Sequence, residues 1–85
     1  MSLQFREDVS TADTEYGTVL LDERSGRYWQ LNPTGTLVVR TLLAGGTPAQ
    51  AISALIGEFD VDEPQATQDV TVLLEELRSA GLVTR

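Results

Sequence analysis

In the first third of the chain, short β-branched and apolar runs are broken by glycine turns. Asp8 to Thr14 (DVSTADT) alternates weakly and ends before a turn at Gly17. Thr18 to Glu23 (TVLLDE) is the second run, Arg-Ser-Gly closes a turn at Gly26, and Arg27 to Leu31 (RYWQL) is the third. Runs like these read as strands. Connections this short join antiparallel neighbours, so the spacing predicts a meander in the order 1-2-3. From Asn32 onward the apolar period becomes helical. Asn32 is a good N-cap, Pro33 suits the first helical position, and Gly45-Gly46 supplies the stop behind Leu37, Val38, Leu42 and Leu43. Thr47-Pro48 repeats the signature ahead of Ala51, Ile52, Leu55, Ile56 and Phe59. Asp62 caps a third helix, with Pro64 in its first turn and Gln65 as the expected capping-box partner. This helix should run to about Ala80, with Arg78 near its negative end and Gly81 as terminator.

The expected architecture is therefore α+β and βββααα. A three-stranded antiparallel sheet packs on three helices, with the rhythm of a winged helix-turn-helix. No linker, repeat or low-complexity tract divides the chain, so residues 1–85 read as a single domain.

Patterning also makes claims about faces. Strands two and three carry large apolar residues at odd and even positions, which predicts cover over parts of both sheet faces. Tyr28 and Trp29 are adjacent and point to opposite faces. With both faces covered, both rings would be core. Tyr28 shares its face with Gln30 and Trp29 with Leu31; the sequence leaves open which pair looks into a groove. On the third helix Val70, Leu73, Leu74, Leu77 and Ala80 form one stripe. Val72 falls off it, on a flank with Asp69, Glu76 and the edge of Leu73. One reading packs Val72 under the first strand or leaves it singly exposed. The other makes Val72 and Leu73 a groove wall, rimmed by Asp69 and Glu76.

Composition narrows the chemistry. The chain has no cysteine, histidine or lysine; all six basic residues are arginine. Thiolate nucleophiles, disulfides, the usual general base and the commonest metal ligand are missing. No cofactor is expected. Net charge is −7, so no basic stripe is on offer for nucleic acid or for an anionic membrane surface. There is no apolar run of about 20 residues, and the start MSLQFRED lacks the pattern of a signal peptide. Cytoplasmic location is the expectation.

In a 1-2-3 meander the third strand is an edge, with unpaired N–H and C=O groups along one side. RYWQL has no proline and no lysine to discourage pairing, and Arg27 is its only charge. An unguarded edge beside an apolar helix points to a docking site for an extended peptide, added as a fourth strand. Three buried apolar anchors at about 1.5–3 kcal/mol each and a few hydrogen bonds at about 0.5–1.5 kcal/mol each work against an ordering term of about 2–5 kcal/mol. The balance corresponds to about micromolar to high-nanomolar affinity.

The stretches GTVLLDERSGRYWQLNPTG, LLAGGTP and DVTVLLEELRSAGLV closely resemble the PqqD-like family of peptide-recognition domains, from about Val9 to Val83. Leu20-Leu21-Asp22, Gly26, Tyr28, Leu31-Asn32, Thr34-Gly35, Asp69-Val70 and Gly81-Leu82 carry the likeness by their order and spacing. The resemblance, nearest to standalone members found with lasso-peptide biosynthesis, implies a RiPP recognition element. Such a domain is a non-catalytic adaptor that binds the leader segment of a precursor peptide. It also implies delivery to a separate cysteine-protease-like leader peptidase, with an ATP-dependent cyclase as a further partner. Some relatives are fused to the peptidase or a modifying enzyme; with the sequence ending at Arg85, no fused enzyme is expected here. On matching positions the implied binding strand is Arg27, Tyr28, Trp29, Gln30 and Leu31, and the implied helical wall is Asp69, Val72, Leu73 and Glu76.

Three rival readings fit the same pattern less well. A DNA-binding winged helix requires a basic recognition helix, yet PAQAISALIGEF has no positive charge. A homodimerisation module would pair two third strands across a two-fold axis. An enzyme using Asp69 and Glu76 as paired carboxylates has no nucleophile or metal cluster behind it.

Overall fold

The structure, a computed structural model, describes residues 4–84. Three strands come first: β1 (Val9–Thr14), β2 (Gly17–Asp22) and β3 (Arg27–Leu31). Three helices follow: α1 (Pro33–Leu43), α2 (Pro48–Glu58) and α3 (Glu63–Ser79). The sheet is an antiparallel meander in the order β1-β2-β3. This is the α+β arrangement expected from the patterning, with β1 beginning one residue later and β2 displaced by one.

Local chemistry explains the boundaries. Thr14 pairs with Gly17 across a two-residue turn. Gly17 has φ 142°, and a Cβ there would collide with the Leu31 carbonyl oxygen. The β2–β3 connection is held by Asp22: its Oδ1 accepts the Arg24 N–H at 3.0 Å, and its carbonyl accepts the Gly26 N–H at 2.8 Å. The side chains of Asn32, Thr47 and Asp62 each accept an N–H three residues on, with proline following in the first turn. The full capping box belongs to α2, where the Gln50 side chain also accepts the Thr47 N–H. The one expected at α3 is not formed. The Gln65 amide turns forward instead and donates to Asp69 Oδ1 at 2.8 Å, one helical turn on.

The core is Leu20, Leu31, Val38, Val39, Leu42, Ala51, Leu55, Ala66, Val70, Leu77 and Leu82, drawn from one face of β2 and β3, all three helices and the segment after α3. The register sets Leu20 opposite Trp29, and Thr18 opposite Leu31. Trp29 and Leu31 therefore point at the helices, with Trp29 packed on the core.

The second sheet face is not covered, which corrects the expectation drawn from apolar residues on both faces. Tyr28 is 70% exposed and Leu21 37% exposed. Val19 and Leu21 lie opposite Gln30 and Tyr28 on β3, and opposite Ala12 and Ser10 on β1. The described helices all lie on the other side. Apolar patterning in β2 and β3 reported high strand propensity on this face, not burial.

Polar contacts fasten the sheet to α1. Thr36 Oγ1 donates to Thr18 Oγ1, and Thr18 Oγ1 to Asp13 Oδ1, both at 3.1 Å. Arg40 Nη2 lies 2.8 Å from Asp13 Oδ2. The hydrogen bond from Arg40, then that from Thr18, then the Arg40 charge hold the Asp13 carboxyl below its ordinary range. At the other end, Arg6 Nη2 stands 2.7 Å from Asp22 Oδ1, close as an ion pair without hydrogen-bond alignment.

The terminal segments pair with each other. Phe5 bridges Val83, the Arg6 N–H donates to the Leu82 carbonyl at 3.0 Å, and the Thr84 N–H to the Gln4 carbonyl at 2.9 Å. Among the described residues, no helix is long and apolar enough to cross a membrane.

Candidate functional site

Among the described residues, β3 pairs with β2 alone. Residues 82–84 are engaged with residues 4–6, so neither of these described segments occupies the second margin of β3. Alternate residues of an edge strand direct N–H and C=O groups outward, ready for another strand. Arg27 has its N–H turned to Ser25 Oγ at 3.2 Å.

Helix α1 lies against β2 and β3, and α3 packs on α1 and α2. Among the described residues, no Cα of α3 comes within 8 Å of a Cα of β3. The space between the two elements is lined by residues of both. It opens as a groove of about 380 Å³, within the range of about 300–1,000 Å³ usual for ligand sites.

The groove brings together Gln30 and Leu31 of β3 with Asp69, Val72, Leu73 and Glu76 of α3. Val38 and Leu55 form part of its buried floor. On α3 the positions 65, 69, 72 and 76 follow one another at three- and four-residue steps and share one face. Val72 is 44% exposed in this wall, so it neither packs under β1 nor stands alone. Leu73 is half-buried and rests on the core. Arg27, Tyr28 and Trp29 lie outside the groove, lining a shallower depression with Gly26 at the start of β3.

Several other groups line the groove that the sequence pattern does not assign to a binding site: Asn32, Thr34, Gly35, Gln65 and Gln68. The first three form the α1 cap, where Asn32 Oδ1 accepts from the Gly35 N–H and Thr34 Oγ1, each at 2.8 Å. Their signal is the Asn-Pro-Thr-Gly start of α1, which reads as a helix boundary and as part of the family likeness. Gln65 and Gln68 were legible as members of the Asp69 face. No group of three or more metal-ligating side chains is gathered among the described residues.

The family model described as coenzyme PQQ synthesis protein D (PqqD) matches residues 17–83. The chain belongs to the PqqD family. A search of curated proteins gives no match. Two solved structures are similar to this PqqD-family chain. One, described as lasso peptide synthetase B1 complexed with the leader peptide, is 40% identical over the whole of both chains, with a TM-score of 0.91. The other, TbiB1 in complex with the TbiA(beta) leader peptide, is 26% identical over 99% of this chain and 95% of that one, with a TM-score of 0.84.

Proposed function

We propose that this PqqD-family chain is a non-catalytic adaptor that binds the leader segment of a lasso-type precursor peptide. The leader adds to β3 as an extended strand and lowers alternate side chains into the gap before α3. The observation that carries this reading is the margin of β3, unpaired among the described residues, beside a groove with an apolar wall at Val72 and Leu73. The likeness to two chains described as leader-peptide complexes supports it. In this reading Arg27 to Leu31 supply the pairing backbone, and Asp69, Val72, Leu73 and Glu76 the helical wall. The bound leader is then handed to a separate leader peptidase, with the cyclase acting after cleavage.

Titration of a labelled leader peptide into isotope-labelled protein tests the first step. Amide shifts concentrated at residues 27–31 and on the 69–76 face support it; shifts confined to other surfaces refute it. Peptidase turnover with and without the adaptor tests delivery. The free margin of β3 also admits a second copy of the chain, and sedimentation separates the two. A monomer that gains only a peptide's mass is the adaptor; a dimer that the leader does not dissociate is the alternative.

A further inference from the structure

The groove carries formal charge of one sign. Asp69 and Glu76 line it, and no arginine does. Among the described residues, Asp8, Asp13 and Asp22 are matched with Arg6, Arg24 or Arg40, whereas neither groove carboxylate has an ion-pair partner. The Gln65 amide restrains the Asp69 carboxylate by donating to Oδ1. Asp69 and Glu76 are seven positions apart, about 10 Å along the helix, and Val72 lies between them, about 5–6 Å from each.

A guest strand along β3 presents a side chain toward α3 at every second residue, about 6.6 Å apart. When the guest runs along α3 and one such residue is an apolar anchor against Val72 and Leu73, the next on the same face comes level with a carboxylate. A lysine or arginine there covers apolar wall with its stem and brings its charge to the rim. An aspartate or glutamate meets two carboxylates on a protein of net charge −7.

Building on the leader-binding reading, we infer that the groove selects segments with a lysine or arginine two residues from an apolar anchor. Asp69 and Glu76 are the residues that determine this preference. Partly solvated ion pairs are worth about a two- to fivefold change in affinity each, and salt weakens them.

The test is a random 15-residue peptide display library panned on the wild-type protein and on the Asp69→Asn, Glu76→Gln and doubly substituted proteins. Enriched peptides are then measured by fluorescence anisotropy at low and high salt. Wild-type selections should share apolar anchors with a basic residue two positions away. The double variant should keep the anchors, lose the basic preference and bind wild-type-selected peptides about two- to fivefold more weakly for each basic residue at such a position, with the difference shrinking in about 1 M salt. Shared anchors without a basic position, or the same basic preference in the double variant, overturn the inference and leave the leader-binding reading standing. Enriched peptides indifferent to Val72→Asp, or no enriched class, overturn both.

Discussion

Replacing Val72 by aspartate separates binding from folding. In the free protein Val72 is 44% exposed, so a docked strand has nearly half of its surface left to cover. Covering a whole valine side chain is worth about 1.5–3 kcal/mol, which makes the guest-covered part worth about 0.7–1.3 kcal/mol. Aspartate forfeits that and places an unpartnered carboxylate under the guest, at about 1–3 kcal/mol. Together these come to about 2–4 kcal/mol, or a 30- to 1,000-fold rise in Kd. The folded state loses less. Valine and aspartate differ little in helix propensity, the part of Val72 already covered is worth about 0.8–1.7 kcal/mol, and the new like-charge spacings to Asp69 and Glu76 cost about 0.2–0.5 kcal/mol each. A fall in Tm of about 5–20 °C follows for a domain of this size, which stays folded at the temperature of the binding assay. Fluorescence anisotropy with a labelled leader peptide gives Kd, and thermal melting by circular dichroism gives stability. A Kd within about threefold of wild type would refute the placement of the guest against α3.

Other substitutions test the remaining parts. Tyr28→Ala removes a side chain that is 70% exposed on the open sheet face, so stability should change by less than about 0.5 kcal/mol. A loss of leader affinity in that variant would show that the guest or its bound partner reaches the start of β3. Leu73→Ala should lower both affinity and Tm, because Leu73 packs on the core as well as lining the groove; an unchanged Tm would contradict that packing. Gly17→Ala should destabilise by at least about 1–3 kcal/mol from backbone strain, with the collision at the Leu31 carbonyl added; chemical denaturation reads it, and a neutral result would refute the close approach.

The acid limb of stability tests Asp22. Burial pushes its carboxyl up, but the Arg24 N–H, the Ser25 hydroxyl, the Arg6 charge and the Ser25 N–H outweigh it, leaving the pKa below its ordinary value. A carboxyl lowered in the folded state contributes stability that is full above the unfolded value, about 3.9, and is lost as pH falls through the folded value. Asp22→Asn should therefore flatten the loss of Tm below about pH 4. A wild-type slope in the variant would refute the role.

The sequence by itself determined what is decided within a few residues. Asn32-Pro33, Thr47-Pro48 and Asp62 fix helix starts because the cap and the N–H groups it satisfies are neighbours in the chain. Gly17 and Gly26 fix turns for the same local reason, and the short connections then dictate a meander with β3 at one edge. Where two local partners compete, the sequence stops short: Gln65 had a cap behind it and Asp69 ahead of it, and only the folded helix shows which it takes. Burial of the sheet faces was beyond local reading, since Leu21 and Tyr28 are as apolar as many core residues. Tertiary structure alone decided that all three helices lie on one side, that the two termini pair with each other, and that α3 stands off β3. Each depends on contacts between segments distant in sequence, and those contacts convert an edge strand and a flank of α3 into one groove.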